Sequence, residues 1–257
     1  MPAGVFANGS GALSLTISGT PSASGNASFA LSIGGQICSF TVVVQPNLAA
    51  QYPANSVFCS AGPTAIVDVT NPITGKIWMD RNLGATQIAT SMTDANAYGD
   101  LYQWGRRADG HQCRTNFTTT TTLSSTDQPV HGNFILGLNL GYDWRSPANS
   151  NLWQGVNGIN NPCPNGYRLP TESELDNEHL SWSTNNSLGA FASPLKLQPA
   201  GYRGYNSNVL FGEETILVYW SSSIDNLYSR AIYGNSSDAL MTTGARASAY
   251  SVRCIKN

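Results

Sequence analysis

The sequence predicts an α+β protein with an N-terminal antiparallel β segment, and three observations carry this prediction. Apolar and polar residues alternate over 12–18 and 27–33, and a strand-like run follows at 37–44. A polar stretch at 45–55 contains two prolines and separates these strands from the rest of the chain. Farther along, residues 171–180 begin with a helix-capping pattern. The chain therefore combines a β-rich beginning with a second, mixed domain.

The three N-terminal strands resemble part of an immunoglobulin-like sandwich. Gly34-Gly35 predicts a hairpin turn between the second strand and the third. Three strands are too few to close a sandwich, so we expect a fragment of a repeat like those in large bacterial adhesins. The predicted organisation is a β-rich Ig-like segment at 1–46, a linker at 47–64 and a second domain at 65–257.

The second domain is predicted to begin with two strands and to contain two helices. The strands are expected at 65–69 and 76–80, separated by a turn that contains proline and glycine. Residues 94–104 place several apolar side chains near one helical face. The helix at 171–180 has the stronger signal, because Thr171 is followed three residues later by Glu174.

Composition excludes several functional classes. Charged residues make up 11% of the 257 residues and the formal net charge is -2, so the sequence offers no basic patch for nucleic acid. No apolar stretch approaches the roughly 20 residues that a membrane helix needs. Residues 1–5 lack the pattern of a signal peptide. We therefore expect a fragment of a longer exported protein, or a virion protein, which needs no signal.

No catalytic signature is present in the sequence. The three histidines, His111, His131 and His179, have no identifiable nucleophile or base partner, and there is no Gly-x-Ser-x-Gly elbow. None of the five cysteines lies in a Cys-x-x-Cys pair or at zinc-finger spacing from a histidine. We predict structural roles for the three histidines.

Four runs of residues resemble one known family when they are taken in order. They are 102–106 (YQWGR), 163–171 (CPNGYRLPT), 219–223 (YWSSS) and 252–256 (VRCIK). Together they resemble the Fibrobacter succinogenes major paralogous domain, a secreted family of Bacteroidota and related bacteria. The resemblance covers roughly 73–257 and implies a C-type lectin-like fold, in which an early strand lies beside the last one.

The resemblance also implies how two of the five cysteines pair. It places Cys163 and Cys254 at the family's motif cysteines, which are expected to form a disulfide bond. Pairing Cys38 with Cys59 is the second, weaker expectation. That pairing leaves Cys113 as an odd thiol, which we expect to be buried.

A ligand-binding face is predicted within 224–248. This C-terminal region is similar to C-type-lectin-like proteins diversified by retroelements, in which the equivalent segment binds the ligand. Its tyrosine, serine, asparagine and aspartate content is also typical of antibody loops, although an ordinary polar hairpin would have the same composition. The predicted ligand-binding residues also include Tyr205, which lies outside this segment. The full set is Tyr205, Asp225, Asn226, Tyr228, Arg230, Tyr233, Asn235, Asp238 and Arg246.

The resulting hypothesis is a non-catalytic extracellular recognition or adhesion module on a cell surface or a phage tail fibre. Its partner would be a glycan or a host or cell-surface protein, with neither nucleic acid nor a membrane span involved. The alternatives are a structural cap or spacer without a ligand, and an oxidase-like enzyme of the formylglycine-generating type.

No cofactor is expected, with a structural calcium ion held by loop carbonyls as the alternative. Residues 94–100 resemble the start of an EF-hand loop. Tyr98 replaces an oxygen ligand of that loop, and no glutamate stands at its final position.

Overall fold

The computed structural model describes residues 16–19, 21, 23–33, 35–44 and 47–257. The chain divides into two compact units, Met1–Asn47 and Leu48–Asn257. Of the strand predicted at 12–18, residues 12–15 lie outside the described residues, and 16–18 belong to no strand.

The described part of the first unit contains the predicted hairpin. Strand β1 (Gly25–Ile33) pairs antiparallel with β2 (Gln36–Val44), and two residues connect them. Gly35 in this turn has a φ of +80°, a conformation that glycine adopts without steric cost. Phe29 and Phe40 lie opposite each other in the ladder and stack with their ring centroids 5.2 Å apart. The hairpin prediction is confirmed.

The second unit is built mostly from short antiparallel strands and has few helices. Its strands are β3 (Asp68–Thr70), β4 (Ile77–Met79), β5 (Tyr102–Gln103), β6 (Thr119–Thr120), β7 (Phe134–Ile135), β8 (Tyr167–Arg168), β9 (Ala200–Arg203), β10 (Leu210–Glu213), β11 (Leu217–Asp225), β12 (Tyr228–Gly234), β13 (Ala239–Gly244), β14 (Ala249–Tyr250) and β15 (Ile255–Lys256). Its helices are α1 (Glu172–Leu180) and α2 (Ser187–Ala192), with 3-10 turns at Leu48–Gln51 and Ala95–Ala97.

These strands form four sheets within residues 48–257. The strand orders are β3-β4-β15-β8, β10-β9-β14-β5 and β11-β12-β13, and β6 pairs with β7 in parallel. In the first of these sheets, Ile255 of the last strand lies opposite Trp78 of an early strand. An early strand and the last strand of this unit are therefore hydrogen-bonded in one sheet, as the resemblance implied.

The central sheet β11-β12-β13 is buried on both faces over part of its length. Along β12, Ala231 packs into one apolar cluster and its neighbour Ile232 into another. On β11, Trp220 packs into the cluster of Ala231, and Tyr219 packs into the cluster of Ile232. Successive side chains of a strand point to opposite faces, so the sheet runs between the two main cores.

Two disulfide bonds tie distant segments together. Cys163 bonds to Cys254, as the resemblance implied. The second bond joins Cys59 to Cys113, so the expected pairing of Cys59 with Cys38 is wrong, and Cys113 is not free. The free cysteine among the described residues is Cys38, which is exposed and lies in the other unit.

The partner of Cys59 follows from local packing that the sequence does not display. The backbone N–H of Val57 donates to the carbonyl of Ala108 at 2.8 Å. The side-chain amide of Gln112 donates to the carbonyl of Val57, also at 2.8 Å. These contacts hold the segment around Cys59 against the one that ends at Cys113.

The two helix predictions have different outcomes. The capping box is present, because Thr171 accepts from the backbone of Glu174 while the Glu174 side chain accepts from Thr171, and α1 follows. The helix predicted over 94–104 is wrong: only the short turn Ala95–Ala97 forms. Gly99 then adopts a φ of +69°, which ends any helical path.

Residues 48–64, predicted as part of a linker, belong to the second unit. Tyr52 is 7% exposed and its hydroxyl donates to the carbonyl of Thr64 at 2.6 Å. Burial raises the pKa of Tyr52 to about 12, so it remains a neutral donor. This segment packs against the second unit through Tyr52 and is bonded to it through Cys59.

Candidate functional site

The predicted ligand-binding residues are distributed over the two ends of the central sheet. Asp225, Asn226 and Tyr228 belong to the hairpin between β11 and β12, whereas Asn235 and Asp238 belong to the one between β12 and β13. Strand β12 has seven residues, and at about 3.3 Å per residue its ends are roughly 20 Å apart. The structure therefore does not bring these residues into one patch.

The two tyrosines of β12 also point in different directions. Tyr228 and Tyr233 are five positions apart, and an odd separation places side chains on opposite faces of a strand. Tyr233 is paired with Val218 on one side and Leu240 on the other, and it is partly buried. A single ligand-binding surface can include one of these tyrosines but not both.

Three tyrosines converge at the end of the sheet that carries Tyr228. The ring of Tyr142 lies 4.4 Å from that of Tyr205 and 6.4 Å from that of Tyr228, measured between centroids. The planes are tilted by 41° and 39°, respectively. We call Tyr205, Tyr142 and Tyr228 the tyrosine row. Tyr142, which lies between the other two, was not among the predicted ligand-binding residues.

Backbone hydrogen bonds fix the row to its surroundings. The N–H of Ala247 donates to the carbonyl of Tyr142 at 2.9 Å, and the N–H of Gly137 donates to the carbonyl of Tyr205 at 2.8 Å. Gly141 has a φ of +101° and lies beside Leu227 of the neighbouring hairpin. The row is therefore assembled from three segments that are far apart in sequence.

Exposed apolar side chains flank the tyrosine row in sequence. Tyr228 is 37% exposed, and the adjacent Leu227 is 48% exposed. Leu140, two residues before Tyr142, is 93% exposed. Tyr142 and Tyr205 are partly exposed. Leu227 also lies beside Gly141, so exposed apolar side chains and aromatic rings come together at this end of the sheet, as they do at many binding surfaces.

Arg246, predicted as a ligand contact, is instead buried beneath this region. Its exposure is 1%, and its Nη2 donates to the carbonyl of Asn226 and to the hydroxyl of Ser150, both at 3.1 Å. Its Nη1 lies 3.5 Å from the Oδ2 of Asp143. The guanidinium carbon is 4.8 Å from the ring centroid of Trp104. A guanidinium enclosed in this way holds the hairpin in place and is not accessible to a ligand.

Burial changes the ionisation of this pair. It lowers the pKa of Arg246, although the neighbouring Asp143 opposes the change. It raises the pKa of Asp143, against the effect of hydrogen bonds from the backbone of Arg145 and Trp144 and the charge of Arg246. The charge of each partner therefore stabilises the ionised form of the other. Replacing either residue would leave an unpaired buried charge and destabilise the support under the tyrosine row.

Arg230 and Asp225 are bound to protein groups on the same edge. Arg230 Nη2 lies 2.6 Å from Glu172 Oε1, at the start of α1. Arg230 Nη1 is 3.5 Å from Asp225 Oδ2. Asn226 is exposed, and its side chain donates to Asp225 at 3.1 Å. Of the predicted polar residues at this end, the amide of Asn226 is the most accessible.

The predicted ligand-binding residues at the opposite end of the central sheet belong to a turn that one of them stabilises. The side-chain oxygen of Asn235 accepts from the N–H groups of Ser237 and Asp238, at 2.7 and 3.1 Å. The carbonyl of Asn235 accepts from Ser187 at the start of α2. Asn235 therefore shapes the turn, and Asp238 is an exposed member of it.

His111 is the histidine with the closest resemblance to a catalytic group, but both of its ring nitrogens are engaged. Its Nδ1 lies 2.7 Å from Asp109, and its Nε2 accepts from the backbone N–H of Gln103 at 3.0 Å. Burial, reinforced by the charge of Arg106, lowers the pKa of His111 to about 4. Burial alone would raise the pKa of Asp109, but His111 and Arg106 outweigh it and lower that pKa to about 2. The cluster forms a fixed internal support.

The first carboxylate of the EF-hand-like segment is engaged in hydrogen bonds with its own loop. The carboxylate of Asp94 accepts from Gln87, Thr90 and the backbone of Asn96. The hydrogen bond from the Thr90 backbone is the largest of several that lower the pKa of Asp94 to about 2. Across the described residues, no group of three or more His, Cys, Asp or Glu side chains is arranged to hold a metal ion.

Comparisons with known proteins give no match: no family model, no curated protein and no solved structure matches this chain. In the part of the chain that the structure describes, no helix has both the length and the apolar character required to cross a bilayer.

Proposed function

We propose that the chain is a non-catalytic extracellular recognition module that binds a glycan or a cell-surface protein through the tyrosine row. The observation that carries this proposal is the convergence of Tyr142, Tyr205 and Tyr228 on a buried Arg246–Asp143 support. Tyrosine rings that are held rigidly provide contact area at a low cost in conformational entropy. The exposed amide of Asn226 adds a polar group that can donate and accept hydrogen bonds at the edge.

A C-type lectin-like fold for the second unit is part of the proposal. Three features support it: the last strand pairs with an early one, Cys254 before that strand is bonded to Cys163, and long irregular segments are packed on small sheets. Two disulfide bonds also favour an oxidising location, such as a cell surface or a virion fibre.

The two alternative functions, an oxidase-like enzyme and a structural cap or spacer, predict different structural features. The oxidase-like alternative would be favoured by a bound copper ion or by a reactive thiol at Cys113, and the sulfur of Cys113 is bonded to Cys59. A cap or spacer without a ligand would need no preorganised aromatic surface. The tyrosine row therefore favours recognition, and substitution within it separates recognition from a purely structural role.

The test compares tyrosines from the two ends of the same sheet. We expect Tyr142→Ala and Tyr228→Ala each to weaken binding at least tenfold, because stacked aromatic contacts contribute about 1–2 kcal/mol or more at binding hot spots. Tyr233→Ala is the matched control at the far end and is expected to bind like the unmodified protein. Binding is measured on a glycan array and by pull-down from cell-surface extract.

Circular dichroism of each variant establishes that the fold is retained. A positive array with no pull-down identifies a glycan ligand, and the reverse identifies a protein. Silence in both assays, or an equal loss for Tyr233→Ala, would contradict the proposal.

A further inference from the structure

A cleft in the second unit shares no residue with the tyrosine row. Its volume is about 170 Å³. Its walls include the small residues Ala61, Gly84, Ala95 and Gly99, and Asp100 also lines it. We call it the Asp100 cleft. An engineered cavity of about 150 Å³ accommodates benzene, so this cleft has room for one six-membered ring.

Asp100 is a buried carboxylic acid without a hydrogen-bond partner among the described residues. It is 7% exposed, and the influences on it are burial and two neighbouring charges, with no hydrogen bond among them. A buried polar group normally has a partner. The carboxylate oxygens of Asp100 are not among the fully enclosed polar atoms that lack a partner, so they remain accessible from the open cleft that Asp100 lines.

The backbone around Asp100 is arranged to bring its carboxyl group close to the wall. Gly84 has a φ of +83°, and a Cβ there would lie 2.3 Å from Asp100 Cγ. A Cβ on Gly99 would lie 2.3 Å from the carbonyl oxygen of Leu83. The Asp100 N–H donates to that same carbonyl at 2.8 Å. Two glycines thus allow an approach that side chains would prevent.

The nearby guanidinium groups donate to acceptors other than Asp100, and the buried Nε of Arg203 has no acceptor in the described part of the chain. Arg114 donates to the carbonyls of Gly99 and Ala200 and to Glu213. Arg203 donates to two other backbone carbonyls. Neither arginine hydrogen-bonds to Asp100, yet both stabilise its charged form electrostatically.

These charges determine which ligand chemistry fits. The charged groups that act on Asp100 are Arg114 and Arg203, and both are positive. A cationic ligand beside Asp100 would be repelled by both arginines in a poorly solvated place, which is unfavourable. A neutral group that donates hydrogen bonds satisfies Asp100 without this cost. The cleft lining also includes the hydroxyl or amide side chains of Ser60, Thr86, Asn96 and Thr115.

We propose that the Asp100 cleft binds a neutral polyhydroxy compound about the size of one sugar ring, with ligand hydroxyl groups donating to the Asp100 carboxylate. The lining hydroxyls and the Asn96 amide supply complementary donors and acceptors. The ligand class is a monosaccharide or a small polyol, and this inference does not depend on the proposed role of the tyrosine row.

The ionisation of Asp100 gives the site a distinctive pH dependence. Burial raises the pKa of Asp100 to about 7, although the charges of Arg114 and Arg203 oppose the change. Tyr102 and Glu213 also face this cluster, and Glu213 is paired with Arg114. A ligand that donates to the carboxylate requires the ionised form, so its apparent dissociation constant should be roughly tenfold larger at pH 6 than at pH 8.

The experiment follows backbone amide resonances of the full ¹⁵N-labelled chain. Galactose and glycerol are the neutral probes, and ethanolamine and calcium chloride are the cationic ones. We expect saturable shifts at Gly84 and Gly99 with a neutral probe, and an affinity at least tenfold lower in Asp100→Asn. Asp176→Asn removes an exposed carboxylate from α1 and serves as the charge-matched control.

A second variant tests the cleft without changing the acid. Ala61→Leu enlarges an exposed lining residue and should abolish the shifts at Gly84 and Gly99 while the fold is retained. The absence of a saturable shift with both neutral probes at pH 8 would overturn the proposal, because water alone then occupies the cleft. A response only to ethanolamine or calcium would also overturn it, as would shifts confined to Tyr142 and Tyr228.

Discussion

Buried arginines connect the irregular segments of the second unit. Irregular chain leaves backbone carbonyls without partners in a sheet or helix, and buried carbonyls need donors. A guanidinium offers five N–H groups. Four arginines that are at most 3% exposed each donate to backbone carbonyls of segments distant in sequence, and these are Arg106, Arg203, Arg246 and Arg253.

This use of arginine explains an error at the predicted site. Arg246 lies in a polar segment, and charged side chains are usually exposed, so the sequence favoured a surface contact. The acceptor that determines its position is the carbonyl of Asn226, together with Ser150, 96 residues away. A contact between residues so far apart leaves no local sequence pattern. Tyr228 could be identified from the sequence because it lies next to the short turn of a hairpin.

The carboxyl group of Asp100 makes the stability of the protein depend on pH. Its pKa is raised from 3.8 to about 7, so the folded protein holds this proton more tightly than the unfolded chain does. Its contribution to the free energy of unfolding is complete below pH 4 and is lost as the pH rises to about 7. The expected loss is about 4 kcal/mol.

Asp100→Asn removes this titration. We expect the unfolding free energy of the variant, relative to the unmodified protein, to increase by about 4 kcal/mol between pH 4 and pH 8. Urea unfolding at several pH values measures the difference. Since His111 titrates in both proteins, its effect cancels in the comparison. A difference that is constant with pH would contradict the assignment.

At the element scale, the capping of α1 connects local and tertiary structure. Glu174 accepts from the backbone of Thr171 and is also bonded to Arg168 through two hydrogen bonds. The hydrogen bond from Arg168 and the backbone of Thr171 lower the pKa of Glu174 to about 2 despite the opposing effect of burial. The same carboxylate therefore begins the helix and joins it to β8.

Thr171→Ala should destabilise the protein by about 1 kcal/mol, because the N–H of Glu174 loses its acceptor at the helix start. Ser173→Ala is the control in the same helix, where the side chain is exposed and alanine favours the helical conformation. Thermal and urea unfolding of both variants give the comparison. Equal stabilities for the two variants would show that the cap makes no net contribution.

The two helix predictions show where local signals are sufficient. The capping box at Thr171 involves residues three positions apart, so sequence alone reveals it. The segment beginning at Asp94 has a suitable apolar spacing, but its path is determined by Gly99 and by the hydrogen bond between Asp100 and Leu83. The acceptor, Leu83, lies outside the segment, and the effect of this contact exceeds a modest helical preference.

At the scale of the whole molecule, the tyrosine row depends on long-range assembly. Tyr142, Tyr205 and Tyr228 come from a loop, the segment after β9 and a hairpin. Sequence reasoning identified Tyr205 and Tyr228 from their polar surroundings. It missed Tyr142, whose only local signal is the preceding Gly141 in a turn-rich segment. Their proximity follows from the folded arrangement of sheets, which no spacing encodes.

The two disulfide bonds stabilise this arrangement and should differ in accessibility. They close loops with sequence separations of 91 and 54 residues, for which the chain-entropy model gives about 5 and about 4 kcal/mol, respectively. Cys163 and Cys254 are at most 2% exposed, whereas Cys59 and Cys113 are partly exposed. A reducing thiolate must reach a sulfur before it can react.

We therefore expect dithiothreitol under native conditions to reduce Cys59–Cys113 first. Alkylation with iodoacetamide followed by peptide mass spectrometry should label Cys59 and Cys113 at least tenfold faster than Cys163 and Cys254. Cys38 is exposed without reductant and provides the internal reference for alkylation. Equal labelling of both pairs would mean that global unfolding precedes reduction. In that case burial would not protect the Cys163–Cys254 bond from reduction.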